Sequence, residues 1–331
     1  MSANTPPVAV DAMGGDRAPD EVIAGAAQAA EQGIDVVLVG DPDAFDARGL
    51  EVIVAREVIG MHEDPARGVR TKKDSSLVRA AEAVRDGRAS AMISAGNTGA
   101  AMACALFRLG RLKGVARPAI ATPIPVPGGT PTVVLDAGAN AECVAAWLVQ
   151  FAQMGSAFAH QRYGIDRPRV GLLSIGEEET KGNSLVKDAH ALLAGGAAGD
   201  AVYFVGNVEG RDIMTEDVDV VVTDGFTGNV VLKTLEGSLR FAMQAVIAAL
   251  RSSEETKAAS GVLMPALVPL AAELDPDTHG GAVLLGVDGV CIISHGSSSA
   301  TAILNAIRVA RAATDDGLVA QVHAAVKPLP D

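Results

Sequence analysis

Six short apolar segments of this chain each end in a loop rich in Gly, Asn, Asp, Ser or Thr. They read VAVD-AMGGD (8–16), AMIS-AGNTGA (91–100), VVLD-AGAN (133–140), VGLLSI-GEEETKGN (170–183), YFV-GNVEGRD (203–212) and VVVT-DGFTGN (220–229). Such loops offer backbone N–H groups, small side chains and helix N-termini, all of which suit a bound anion such as phosphate. In an open parallel sheet, the loops that follow the strands leave from the carboxyl ends of the strands and lie together along one side of the sheet, which is called an edge below. The pattern therefore predicts one polar site for a phosphate-like group.

The strongest catalytic candidates are Lys181, Asn183 and Asn229. Lys181 brings a positive charge to a loop that also carries three glutamates, and both asparagines can donate amide N–H groups to a bound oxygen. The segment 224–229 places two glycines before a long helix predicted over 229–251, whose first N–H groups would face a ligand. The further candidates for phosphate or substrate binding are Gly14, Gly15, Asp16, Asn97, Thr98, Asn140, Asp224, Thr227, Gly228 and Lys233.

Each of these candidates also has a structural interpretation that the sequence leaves open. Lys181 could only neutralise its neighbouring glutamates, and Asn183, Asn229 or Asp16 could only cap helices. Asp136 and Asn140 fit a turn held by side-chain–backbone hydrogen bonds. For His279 and His295, a structural role is the more common expectation for a histidine at a strand end or turn.

The motifs of several familiar enzyme classes, including the serine nucleophile motif of hydrolases, are absent from this sequence. The chain contains no G-x-S-x-G, no G-x-x-x-x-G-K-[ST], no H-E-x-x-H and no G-x-G-x-x-G after its first strand. A bound anion that attacks its target directly would need no protein nucleophile, only positioning and stabilisation of charge. We therefore expect chemistry of that kind, with no cofactor and no metal.

Composition narrows the choice of partners. The 331 residues carry a formal net charge of −13 and only 3% aromatic residues, which disfavours binding to nucleic acid. The three cysteines are odd in number and unpaired in sequence, so we expect free thiols in a reducing compartment. The first residues do not resemble a secretory signal, and no apolar run reaches the roughly 18–20 residues of a membrane span.

Strands that alternate with helices predict one α/β domain over residues 1–331, a three-layer α/β/α Rossmann-like sandwich with a mostly parallel sheet. The predicted elements include a charged loop over 61–76, a helix capped by Ser75 or Ser76, and a single apolar stretch over 284–296. Residues 229–275 are expected to form the long helix and an apolar tip interrupted by Pro265 and Pro269. That tip could cover a dimer partner, lie in the core or touch lipid.

Taken together and in order, these motifs resemble the phosphate acyltransferase family of bacterial phospholipid synthesis. The resemblance extends over nearly the whole chain and is carried by VAVDAMGGDRAP, KKDSSLV, SAGNTGA, RPAIA, LDAGAN, QFAQMG, LLSIGEEETKGN, GNVEGRD, DGFTGNVVLK, GGAVLLGV and HGSSS. It implies transfer of a fatty acyl group from acyl carrier protein to inorganic phosphate, which gives acyl phosphate for glycerol-3-phosphate acylation. It also implies a fold related to isocitrate and isopropylmalate dehydrogenases and to phosphotransacetylases.

The resemblance further implies a cytoplasmic homodimer that associates peripherally with membrane, where the downstream glycerol-3-phosphate acyltransferase is a further candidate partner. Because acyl carrier protein is acidic, a local basic segment must offset the negative charge of this chain. The candidates for that docking role are Arg108, Arg111, Lys113 and Arg117. Two other enzyme types stay open: an acyltransferase that uses coenzyme A thioesters, as phosphotransacetylases do, and an NAD-dependent decarboxylating dehydrogenase.

Overall fold

The computed structural model describes residues 5–327, which form eleven strands in one sheet and helices packed on its two faces. The strands are β1 (Val8–Asp11), β2 (Val36–Gly40), β3 (Glu51–Val54), β4 (Ala91–Ser94), β5 (Ala119–Ile124), β6 (Thr132–Leu135), β7 (Arg169–Leu173), β8 (Tyr203–Val208), β9 (Val220–Val222), β10 (Ala282–Leu285) and β11 (Val290–Ile293). The helices are α1 (Asp20–Glu31), α2 (Pro65–Thr71), α3 (Ser76–Arg85), α4 (Thr98–Arg108), α5 (Ala145–Tyr163), α6 (Ser184–Ala194), α7 (Gly225–Leu250), α8 (Glu254–Glu273), α9 (Ala300–Asp315) and α10 (Leu318–Ala325). Two short 3₁₀ turns cover Gly210–Met214 and Pro276–Thr278.

Alternation along the strands divides the core into two apolar layers. In β1, Val8 and Val10 belong to the apolar layer that contains α1 and α9, whereas Ala9 belongs to the layer on the other face that contains α3 and α4. Successive side chains of a strand point to opposite faces, so a fully apolar strand requires helices on both sides. The predicted α/β architecture, with helices covering both faces of a mostly parallel sheet, is therefore confirmed.

The two halves of the sheet run in opposite directions, which the sequence did not indicate. The strand order is β3-β2-β1-β4-β11-β10-β5-β6-β9-β7-β8. Pairing is parallel except where β10 meets β11 and β5, and where β5 meets β6. Three antiparallel steps leave β6, β9, β7 and β8 running opposite to β1, β4 and β11. The expectation that all six loops leave one edge of the sheet is therefore wrong, because they leave two.

The apolar stretch 284–296 supplies part of this reversal. It contains the end of β10, a turn and all of β11, so it folds as an antiparallel hairpin and not as one continuous segment. Gly286, with φ of 88°, occupies the turn. Both strands are apolar on each of their faces, so the hydrophobic pattern alone does not show where one strand ends and the next begins.

Three helical boundaries differ from the sequence predictions. Helix α7 begins at Gly225 and not at 229, because the Asp224 side chain accepts the Thr227 backbone N–H at 2.9 Å and caps it. The charged loop contains the helix α2, which Asp64 caps and Pro65 begins, a favourable combination of N-cap and first residue. The apolar tip is the continuous helix α8, since Pro265 and Pro269 lie within it. Ser75, as expected, caps α3.

Candidate active site

The loops after β1 and β4 are joined at a buried carboxyl group. The Ser94 hydroxyl donates to Asp11 Oδ2 at 2.7 Å, and Ser94 Oγ accepts the backbone N–H of Gly96 at 3.0 Å. Glycine is required beside them, because a Cβ on Gly14 would lie 2.5 Å from Asp11 Oδ2. Gly15 adopts a φ of 117°, a region that other residues rarely enter. Gly14 and Gly15 are therefore needed for close packing of the two loops, whatever they bind.

Sequence reasoning missed Asp11 as a site residue. Burial raises the pKa of the Asp11 carboxyl, against hydrogen bonds from Ser76, Ser94 and the loop backbone that lower it. Its place at the end of a fully buried strand was the available signal, because a carboxyl group there must find donors. The Asp11 carboxyl thus anchors the loop that follows its own strand.

The loop after β11 closes against this first pair of loops. The Asp16 backbone N–H donates to the Gly296 carbonyl oxygen at 2.7 Å, while the Asp16 side chain is exposed and caps no helix. Asn97 caps α4 through its Oδ1, and its Nδ2 donates to the Met61 carbonyl at 2.8 Å. Thr98 is exposed at the first position of α4. Asn97 therefore has a structural role that holds the α2 segment beside the loops.

At the opposite edge, Asp136 gathers the loop after β6. Its two carboxylate oxygens accept five N–H groups, from the backbone of Ile120, Gly138, Ala139 and Asn140 and from Asn140 Nδ2, at 2.8–3.1 Å. Burial raises the pKa of the Asp136 carboxyl, and these donors oppose that shift. The turn that the sequence suggested for Asp136 and Asn140 is thus confirmed, and both side chains are engaged within it.

The start of α7 packs onto this turn. The Gly225 N–H donates to the Asn140 carbonyl at 2.8 Å, and Asp224 accepts both the backbone N–H and the hydroxyl of Thr227. A Cβ on Gly228 would overlap the Asp136 carbonyl oxygen. Asn229 is exposed in the first part of the helix, and a Cβ on Gly138 would lie 3.0 Å from its Nδ2. The two loops therefore meet around Gly228, with Asn229 at their surface.

A third cluster lies at the ends of β7 and β8. Asn207 Nδ2 donates to the Glu178 carbonyl at 2.9 Å, and Asn207 Oδ1 lies 3.0 Å from His190 Nδ1. Asn183 caps α6 by accepting the Val186 N–H, which confirms its structural interpretation. Lys181 is exposed in this loop, and within residues 5–327 its ammonium group has no hydrogen-bond or ion-pair partner. Its positive charge is thus open to solvent.

One contact links the two edges of the sheet. Lys233 Nζ on α7 lies 3.1 Å from His295 Nε2, in the loop after β11, and 2.9 Å from Glu236 Oε2. His295 Nδ1 in turn lies 2.9 Å from the Ser297 hydroxyl. Lys233 therefore approaches the Gly14–Gly15 and Gly296 loops, although its own helix begins at the opposite edge. Lys233 was a candidate in the sequence analysis, but its contact with His295 was not predicted.

The four docking candidates differ in how freely they face solvent. Arg108 lies 3.6 Å from Glu82 and is largely covered, Arg111 donates to the Val115 and Ala116 carbonyls, and Arg117 lies over the Trp147 ring. Lys113 is exposed. The positive charge of the segment 107–117 is therefore partly committed to contacts within the chain.

The cysteine thiols are poorly suited to nucleophilic chemistry. Burial raises the pKa of Cys104 above its ordinary range, that of Cys143 to about 11 and that of Cys291 to about 12. At neutral pH such groups stay protonated, and only the thiolate attacks.

Among residues 5–327 no group of three or more His, Cys, Asp or Glu side chains is placed to hold a metal ion. Within the same residues, no helix combines the length and apolar character needed to cross a membrane.

The fold is shared with several solved structures. The EutD phosphotransacetylase from Staphylococcus aureus superposes with a TM-score of 0.59 at 17% identity, covering 93% of this chain and 94% of that one. The 4-hydroxythreonine-4-phosphate dehydrogenase from Klebsiella pneumoniae gives a TM-score of 0.51 at 13% identity, over 99% and 100% of the two chains. These likenesses place the chain in a fold class that contains both phosphotransacylases and dehydrogenases.

Sequence similarity is more specific. A family model described as "fatty acid synthesis protein" matches residues 7–321. The phosphate acyltransferase of Pelotomaculum thermopropionicum is 49% identical over 97% of this chain and 95% of its own length, and that of Elusimicrobium minutum is 46% identical over 95% and 94%. The chain belongs to this phosphate acyltransferase family and is an acyltransferase. The resemblance drawn from the sequence is therefore confirmed.

The close approach of α7 to the β6 loop provides a test of the site's packing. We expect Gly228→Ala to lower the free energy of unfolding by about 3 kcal/mol or more, because the new methyl group overlaps the Asp136 carbonyl. Gly237→Ala is the matched control, since no atom lies within 4 Å of a Cβ there. It should stabilise α7 by about 0.5–1 kcal/mol. Urea unfolding of both variants checks this, and equal effects at the two positions would contradict the packing.

Proposed function

We propose that this chain transfers a fatty acyl group from acyl carrier protein to inorganic phosphate, releasing acyl phosphate and the free carrier thiol. The observation that carries the proposal is the similarity to phosphate acyltransferases along almost the whole chain. The site supports it, because glycine-rich loops and the ammonium groups of Lys181 and Lys233 are suitable donors for a phosphate anion. The acyl phosphate would serve glycerol-3-phosphate acylation.

We propose direct attack by phosphate on the thioester, without a covalent enzyme intermediate. Phosphate is already a nucleophile, so the protein has only to orient it and to stabilise the oxyanion that forms on the carbonyl carbon. Protonated thiols at Cys104, Cys143 and Cys291 agree with this route, since none is activated. The backbone N–H of Gly15 is the proposed oxyanion donor, because the Gly228 N–H already donates to the Asp224 carbonyl at 2.9 Å and the Gly14 N–H donates to Asp11. The relatives do not favour the coenzyme A-dependent and NAD-dependent alternatives.

The decisive experiment follows the fate of labelled phosphate. Purified protein incubated with ³²P-phosphate and palmitoyl-acyl carrier protein should form ³²P-labelled acyl phosphate, which is separated from free phosphate by extraction into organic solvent. In a parallel sample, hydroxylamine should convert this product to the unlabelled hydroxamate and release the ³²P as free phosphate. Palmitoyl-coenzyme A in place of the carrier protein should give a much lower kcat/KM, because it lacks the carrier surface. Labelled product from palmitoyl-coenzyme A but not from palmitoyl-acyl carrier protein would show that the donor is a coenzyme A thioester. No product from either thioester would refute the function.

We propose Lys181 as a phosphate ligand that supplies charge to the transition state. Lys181→Ala should then lower kcat/KM by about 100-fold, the loss typical of one electrostatic donor at a reacting centre. Lys187→Ala is the control, since Lys187 is also exposed but lies on α6 beyond the loop. Steady-state assays with varied phosphate measure both variants. Near-normal kinetics for Lys181→Ala would remove this residue from the site.

The helices α7 and α8 support the proposal of a homodimer. Helix α8 has no buried residue among those described, although much of it is apolar. Phe241, Val262 and Val268 are 73%, 81% and 55% exposed. A helix pair that is apolar over so much of its surface requires cover, and a second copy of the chain would provide it. Peripheral association with membrane at the end of this pair stays a prediction of the family resemblance.

The dimer proposal predicts that a charge placed on this surface separates the subunits. Val262→Asp should weaken self-association by about 100-fold or more, because the interface would have to desolvate an unpaired carboxylate. Leu192→Asp is the control, since Leu192 is an apolar residue on α6 that is also exposed but lies outside this surface. Sedimentation equilibrium measures the dissociation constants. A monomeric wild-type protein, or a Val262→Asp protein that stays dimeric, would contradict the proposed interface.

A further inference from the structure

His295 occupies the position where the two halves of the site meet. It follows β11, and its neighbour Gly296 is hydrogen-bonded to Asp16 in the loop after β1. Lys233 reaches it from α7. The His295 ring is exposed, so one side remains open to solvent and to a substrate. A histidine held only for packing would not be expected to keep an accessible ring nitrogen at such a junction.

The contacts of His295 define which nitrogen carries its proton. A protonated lysine can only donate, so the 3.1 Å contact with Lys233 Nζ requires Nε2 to be the acceptor. The ring proton then lies on Nδ1 and is donated to the Ser297 hydroxyl at 2.9 Å, which is the shorter of two contacts there, since the Ser297 backbone nitrogen lies 3.4 Å from Nδ1. Ser297 thereby orients the ring. Nε2 is left as a basic nitrogen that faces Lys233.

The Lys233 ammonium group has three N–H donors, of which Glu236 and His295 accept two within residues 5–327. The third can bind an anion. A phosphate oxygen within hydrogen-bond distance of Nζ would also lie close to His295 Nε2, because the two nitrogens are only 3.1 Å apart. Lys233 is the charged group in contact with the ring; Glu236 accepts from Lys233, and Asp16 lies beside Gly296, the next residue after His295.

We propose that His295 carries a proton from phosphate to the departing sulfur during acyl transfer, an inference that rests on the proposed function. An anionic oxygen of hydrogen phosphate attacks the thioester carbon, so an O–C bond forms and the C–S bond breaks with its electron pair on sulfur. The phosphate hydroxyl gives its proton to Nε2, and Nε2 gives it to the sulfur. The products are dianionic acyl phosphate and a neutral thiol, so atoms and charge balance without another reactant.

This step is useful because an alkyl thiolate is a poor leaving group. A free thiol has a pKa near 8.5, so a thiolate expelled at neutral pH gains from a nearby acid. Once Lys233 turns its ammonium group toward phosphate, the imidazolium formed on His295 faces the anionic phosphate. Its Nδ1–H remains on Ser297. The short-lived positive charge on the ring is thus compensated by the bound phosphate.

The test is chemical rescue of a His295 variant by free imidazole, assayed with the thioester acyl donor that the wild-type protein uses. His295→Ala should lower kcat by about 100-fold and change the KM for phosphate by less than about threefold, since proton transfer and not binding is lost. Because His295 is exposed, free imidazole can enter the space that its ring vacates and should restore kcat at least about tenfold. His323→Ala, at an exposed position on α10, should keep normal kcat with and without imidazole.

The outcomes separate this inference from the proposed function. Acyl phosphate formation by the wild-type protein, with no loss in His295→Ala or with a loss that imidazole does not reverse, overturns the proton-transfer role alone. No acyl phosphate from the wild-type protein overturns the proposed function and this role with it. Thermal unfolding and phosphate KM of the variant show whether the site is still formed, and a rescued kcat itself requires a folded site.

Discussion

The site depends on buried carboxylates at strand ends that turn back to hold their own loops. Asp11 ends β1 and accepts N–H and hydroxyl groups from the loops after β1 and β4. Asp136 follows β6 and accepts five N–H groups, four of them from the backbone. A buried carboxyl group without donors would be strongly unfavourable, so each loop is forced into a shape that supplies them. Order in the loops is thus a consequence of burying an aspartate.

This anchoring has an electrostatic consequence for ligand binding. Backbone N–H groups that already donate to Asp136 cannot also bind phosphate, and a buried negative charge repels an anion nearby. Burial raises the pKa of both carboxyl groups, which shows that hydrogen bonding does not fully compensate their desolvation. Attraction for phosphate must therefore come from lysine ammonium groups and the remaining N–H donors. Lys181 is exposed in one of these loops, and Lys233 reaches another from α7.

The sequence predicted the local features well and the long-range ones poorly. Helix caps such as Ser75 and Asn183 are confirmed because a cap depends on residues within one turn. The reversal of strand direction was missed because it depends on which strands pair, and β10 and β11 looked like one apolar run. Asp224 and Asn229 are both acceptable caps, so the start of α7 could not be fixed from residue types. The Lys233–His295 contact joins residues 62 apart and leaves no local pattern.

Helix α7 resolves the problem that the reversed sheet creates. Loops on opposite edges of a sheet lie a strand length apart, about 13 Å for four residues. Lys233 follows Gly225 by eight positions, a rise of about 12 Å along a helix, which matches that length. A helix that begins at the β9 edge and packs against the sheet through Leu232 can therefore deliver Lys233 to the β11 edge. Glycine is required at 228 because α7 lies so close to the loop after β6 that a Cβ there would overlap the Asp136 carbonyl oxygen.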